Sequence, residues 1–313
     1  MENGRMNFLT VFFRSLLLLP LLSSCLVDEK PKATSSELLV ARGDVVVSTL
    51  NTDSIIVFDK DGNVKRVLYQ FPTADAIGEM AWLPSTNEIL VSINGTPDRI
   101  DAISVETGAV RSFYSNTSFF TGTPAGVAYL KTSGDVIATE GATIERFSNL
   151  GLRETFGAIW PTNVHANSTQ IVGLQDGNWL SCSSSQGVRI YPDNFTTALT
   201  VVASVTGPVG STTAQGCNEL SDGRIVVSWA GGAADYVYLY SSTLTSPTIL
   251  VNNNQSLLSN PYGIAVNEDD EIYVVDGTRN VVVKMDSSGT VIKEFGNSIL
   301  NAPRNILVIP AFN

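Results

Sequence analysis

The chain repeats itself, and this constrains its fold more than any other feature. Residues 260–297 read NPYGIAVNEDDEIYVVDGTRNVVVKMDSSGTVIKEFGN, with apolar runs at 264–266, 272–275, 281–284 and 291–295 separated by polar turns. Such a sheet cannot bury both of its faces alone, so it needs neighbours of its own kind. Copies occur at 43–71, 78–113, 126–147 and 216–240, with a weaker one at 171–191. A glycine opens the first run at Gly78, Gly126, Gly216 and Gly263, in steps of 48, 90 and 47 residues. The weak copy fills the double step. At the C-terminus, APRNILVIPA (302–311) supplies a first run with nothing after it. Residues 43–71 hold the last three runs without a convincing first one. The two ends therefore complete each other.

The runs are short and rich in Val, Ile, Tyr and Phe, which favour strands. Asp61-Gly62, Asp176-Gly177 and Asp222-Gly223 supply turn residues that tolerate positive φ. No sustained helical period appears after the N-terminal segment. Four strands per repeat at this spacing predict an all-β fold, a β-propeller of four-stranded blades. The count predicts six blades, one of them shared between the N- and C-terminal strands. Closing the ring removes the exposed sheet edges that promote aggregation.

The motif Pro261-x-Gly263-Ile-Ala-Val, followed by Ile272-Tyr-Val-Val-Asp276 and Arg279-Asn280, resembles the NHL repeat. Pro124-Ala-Gly126-Val-Ala has the same opening. More broadly, residues 37–313 resemble six-bladed propellers of the SMP-30/gluconolactonase type. The resemblance speaks to fold, because propellers host many unrelated activities.

The N-terminus carries a different message. Arg5 and Arg14 precede the apolar stretch Leu16–Leu22, which is too short to span a bilayer and has the form of a secretory signal. It ends in Leu22-Ser23-Ser24-Cys25, which resembles the lipobox of bacterial lipoproteins. That resemblance implies a signal peptide at 1–24 and a lipidated Cys25. With Leu26 next rather than Asp, it implies an outer-membrane location, facing the periplasm or the cell surface. Residues 25–36 read as a lipidated, flexible tether, and 37–313 as one propeller domain, expected to be monomeric. The net charge of -11 argues against a nucleic-acid partner, which needs a basic face.

By the propeller resemblance, the start of each innermost strand lines the mouth of the central channel. Those positions are Ile77 and Glu79, Ala125, Thr162 and Asn163, Gln215 and Asn218, Tyr262, and Arg304 and Asn305. Loops between second and third strands add Asp53, Asp98, Glu140, Trp229, Asp235 and Asp276. A concave mouth with convergent polar groups is the default binding site.

Catalytic chemistry is sparsely supplied. A lactonase resembling SMP-30 would hold calcium or another divalent cation on acidic and Asn ligands at the axis. Glu79 and Asn163 are the candidates, with no inner-strand aspartate to complete an oxygen set. The bland alternative is that both satisfy backbone groups. His165, the only histidine, could serve as a general base, yet the sequence names no acid to orient it. There is no nucleophile elbow, phosphate-cradling loop or dinucleotide fingerprint.

Two other features have open readings. Cys182 falls on a second strand and Cys217 on the first strand of the next blade. A disulfide is within geometric reach, and two buried thiols are the alternative. Trp82 and Trp179 read as inter-blade core, while Trp160 and Trp229 read as ligand candidates. The expected function is a lipid-anchored envelope module that binds a protein, peptide or glycan at the channel mouth. The alternative is a metal-dependent hydrolase or a lyase at the same place.

Overall fold

The structure is a computed structural model. It describes residues 38–72, 75–115, 124–141, 143–154, 165–193, 200–208, 213–231, 235–252 and 256–310. Six antiparallel sheets form a six-bladed β-propeller, and the described residues contain no helix.

Blade 1 joins the chain ends. It holds β1 (Val45–Thr49), β2 (Ser54–Phe58) and β3 (Val64–Gln70), with β23 (Pro303–Val308) as its innermost strand. Blade 2 is β4 (Ala76–Leu83), β5 (Glu88–Asn94), β6 (Arg99–Ser104) and β7 (Val110–Ser115). Blade 3 is β8 (Pro124–Tyr129), β9 (Val136–Glu140) and β10 (Thr143–Phe147), with an isolated Phe147–Arg153 bridge on its outer side. Blade 4 is β11 (Ser168–Gly173), β12 (Trp179–Ser183), β13 (Gly187–Tyr191) and β14 (Ala203–Val205). Blade 5 is β15 (Thr213–Glu219), β16 (Ile225–Ala230), β17 (Tyr236–Tyr240) and β18 (Thr248–Val251). Blade 6 is β19 (Pro261–Val266), β20 (Ile272–Asp276), β21 (Val281–Met285) and β22 (Val291–Phe295).

The apolar side chains form layers between blades. One cluster joins Val45, Phe58 and Ile306 of blade 1 to Tyr273, Val275 and Phe295 of blade 6. Another joins Val226 and Leu239 of blade 5 to Ile264 and Met285 of blade 6. Second strands are buried on both faces, as in VVVST, WLSCS and IYVVD. They therefore read as continuous apolar runs. Outer strands such as VIKEF keep only one residue buried. Trp82 and Trp179 lie in inter-blade layers, and Trp179 stacks on Tyr191 with centroids 4.4 Å apart. Cys182 and Cys217 are joined by a disulfide that ties blade 4 to blade 5, with Cα atoms 6.1 Å apart.

Every innermost strand carries a bulge near its start, where its pairing with the second strand shifts. A bulge leaves one residue unpaired and bends the strand. Hydroxyls on the second strand satisfy backbone groups there. Asn305 donates its N–H to Ser48 Oγ (3.1 Å), Glu79 to Ser92 Oγ (2.8 Å) and Gly126 to Thr139 Oγ1 (3.0 Å). Ser228 Oγ donates to the Tyr262 carbonyl of the next blade, at 2.6 Å. The bulges set the chemistry of the axis, because they decide which side chains turn into it.

Candidate functional site

Aligning the six bulges puts two consecutive residues of each innermost strand at the axis. The register gives a lower set of Asn305, Glu79, Gly126, Gln170, Gly216 and Gly263 for blades 1 to 6. The residue before each gives an upper set of Arg304, Gly78, Ala125, Thr169, Gln215 and Tyr262.

The lower set closes the channel. Glu79 is buried, and its carboxylate reaches across two blades. Oε2 accepts Val127 N–H at 3.0 Å, and both oxygens lie 3.0 Å from the Ile171 nitrogen. Gln170 repeats this arrangement two blades on. Its Oε1 accepts the N–H groups of Cys217 and Ile264, each at 3.1 Å, and its Nε2 donates to the Ile264 carbonyl at 2.9 Å. Asn305 Nδ2 donates to the Gly78 carbonyl. The recurring glycines make room for these side chains. A Cβ on Gly126 would lie 3.1 Å from Glu79 Oε2, and one on Gly216 would lie 2.9 Å from Gln170 Oε1. Burial pushes the Glu79 pKa well above its ordinary value, against the pull of the Ile171 and Val127 N–H groups.

This geometry makes Glu79 a poor metal ligand. A cation needs free lone pairs, whereas both oxygens of Glu79 face N–H donors. Asn163, its proposed partner, lies outside the described residues, as do Thr162 and Trp160. Among the described residues, no group of three or more His, Cys, Asp or Glu is placed to hold a metal ion.

The upper set lines a cup of about 240 Å³ above that closed floor. Gln215, Tyr262, Arg304 and Asn305 meet there, with Ile77 and Ala125. Thr169 and Asn94 join them without having been expected from the sequence. Thr169 marks the start of the first strand of blade 4, which sequence reasoning placed at Thr162 and Asn163. Its hydroxyl donates to the Ala214 carbonyl at 2.8 Å. The guanidinium carbon of Arg304 lies over the Tyr262 ring, 4.2 Å from its centroid. That ring rests against Gly277, where a Cβ would come within 2.3 Å of Cε2. Asn260 Nδ2 donates to the Tyr262 hydroxyl at 3.2 Å.

Four candidates from the sequence have other places or other partners. Trp229 is wholly buried in the layer between blades 4 and 5, because β16 continues past it through Ala230. It is core and cannot meet a ligand. His165 is also fully buried, with Nδ1 3.2 Å from Ser181 Oγ and its ring edge-on to Tyr191. Burial and the nearby Arg189 charge lower its pKa to about 4, which keeps the ring neutral. Asn218 lies at the other end of the channel, where its Nδ2 donates to the Ile264 carbonyl at 3.4 Å. Asp276 accepts the N–H groups of Ser259, Thr278 and Arg279, and so braces its own loop against the segment that leads into β19.

No model of a known protein family matches this chain, and no curated protein matches it in sequence. Solved structures do match in fold. A chain of the nidogen/laminin complex superposes with a TM-score of 0.67 at 14% identity, over 84% of this chain and 97% of that one. The gluconolactonase XC5397 from Xanthomonas campestris gives 0.59 at 13% identity, over 84% and 87% of the two chains. TolB from Acinetobacter baumannii gives 0.60 at 14% identity, over 86% and 66%. At these identities the likeness shows the propeller fold alone.

Proposed function

We propose that this protein is a lipid-anchored envelope propeller that binds a protein, peptide or glycan in the cup at its channel mouth. The observation that carries this reading is the closed axis. Glu79, the one acid on the innermost strands at that level, is committed to holding blades 3 and 4. What remains accessible above it is a shallow polar cup with an aromatic wall, which suits recognition. The anchor at Cys25 and the tether to residue 36 belong to the same reading. They would hold the domain near an outer membrane and leave its face free. The nidogen/laminin structure is itself of a complex. The gluconolactonase likeness motivates the competing hydrolase reading.

Two measurements test the proposal. The full-length protein, solubilised in detergent, is applied to glycan and peptide arrays beside Ala125→Trp, which fills the cup. Binding that survives the substitution removes the cup from the function. The same protein is assayed against a panel of lactones with added calcium. Turnover that depends on the cation and is lost in Glu79→Gln replaces the binding reading with the hydrolase. Labelled palmitate incorporation that persists in Cys25→Ala overturns the anchor.

A further inference from the structure

The two ends of the channel carry opposite kinds of charge arrangement. The far end opens into a cavity of about 840 Å³ with four basic and five acidic side chains among the described residues that line it. Many of these are paired. Lys284 Nζ lies 2.7 Å from Glu271, Lys131 Nζ lies 3.8 Å from Glu219, and Arg42 meets Glu268. The cup at the near end is lined by one charged residue, Arg304, and by no acid among the described residues. No ion pair joins Arg304 to a carboxylate among them. This is a locally positive concavity in a chain of net charge -11.

Resting on the cup being the binding site, we infer that its ligand presents a carboxylate to Arg304. A guanidinium held over an aromatic ring keeps its N–H edge available for a planar acceptor. Carboxylates match that edge with two parallel hydrogen bonds. Tyr262 fixes the guanidinium, and Gly277 and Asn260 fix Tyr262. The donor is therefore held in place before a ligand arrives, which lowers the ordering cost of binding. The amides of Gln215 and Asn94 supply further polar contacts on the wall. A cup of about 240 Å³ admits one end-group rather than a long segment. The ligand class is thus a small carboxylate, or the carboxylate end of a larger molecule, such as an acidic sugar or a peptide C-terminus.

Matched probes test this by titration calorimetry on the detergent-solubilised full chain. Glucuronate is compared with glucose, and acetyl-trialanine with its C-terminal amide. The acid of at least one pair is expected to bind about tenfold or more tighter than its neutral partner, as a charge-assisted hydrogen bond would give. The pair that responds identifies the source of the carboxylate. Arg304→Gln should erase the difference, and Arg304→Lys should keep part of it. Equal binding of acid and neutral probes, no binding of either acid, or a preference that survives Arg304→Gln overturns the inference. Array binding lost in Ala125→Trp but unchanged in Arg304→Gln leaves the cup in place and removes the carboxylate. Array binding unchanged by Ala125→Trp removes the cup itself.

Discussion

The two sets of residues at the axis are neighbours in sequence and opposites in role. Each lower residue directly follows an upper one on the same strand, and the bulge turns both toward the centre. In the lower set, Glu79, Gln170 and Asn305 spend their polar groups on the backbones of other blades, and glycines give them space. In the upper set, Arg304, Gln215 and Tyr262 face a cup. A single residue step thus separates groups that hold the ring together from groups free to meet a ligand. Stability and recognition should respond separately to mutation.

The largest separation is expected at Glu79. Glu79→Ala strips the acceptor from two buried N–H groups, which at about 1–3 kcal/mol each predicts a loss of roughly 2–6 kcal/mol. Urea denaturation measures it, and a loss under about 1 kcal/mol would break the structural assignment. Glu79→Gln should cost far less, since Gln170 does the same work with an amide at the matching position.

Gly216→Ala comes next. The new Cβ would sit 2.5 Å from the Tyr262 carbonyl oxygen and 2.7 Å from the Ile264 nitrogen. Both atoms are backbone of blade 6, so relief needs a strand shift costing about 1–3 kcal/mol.

The buried titratable groups predict opposite pH slopes. His165 has a folded pKa of about 4, below its ordinary 6.5, so the unfolded chain binds more protons between those values. Its contribution to stability is lost as pH falls through that window, by up to about 3 kcal/mol. Glu79 is raised above 4.5, so its contribution is lost as pH climbs from there toward its folded pKa. Denaturation midpoints across pH 4–8 should lose the first slope in His165→Asn and the second in Glu79→Gln. Slopes unchanged by both substitutions would assign the pH response to other groups.

The smallest effect sharpens the comparison most. Arg304→Gln should change stability by no more than about 0.5 kcal/mol. A loss comparable to that of Glu79→Ala would merge the two sets into one structural unit.

Much of the ring was legible in the sequence. The apolar runs, their turns and the incomplete copies at each end correctly implied six blades and a shared one. The axis was legible only in part, for physical reasons. Gly78 looked like the counterpart of Gly126, Gly216 and Gly263, yet the register gives that position to Glu79. Glycine marks the places that receive another blade's side chain, so the residue that fills the space breaks the pattern. Gln170 breaks it in the same way, which made the fourth repeat look weak and hid Thr169. Trp229 looked exposed because two glycines follow it, but its strand continues for one more residue. Asn94 carried no signal, because a polar residue at a strand end is ordinary.

The pairing of β23 with β1 ties Val45 to Val308 and Thr49 to Pro303. This pairing leaves blade 1 incomplete until residues 303–308 have been made. A chain cut before Pro303 would keep blades 2 to 6 and still lack the inner strand of blade 1. The layer it forms with blade 6, including Ile306 and Val308, would then be open to solvent. Such a product would show a raw apolar seam, the feature that proteases and chaperones use to sort unfinished chains from finished ones.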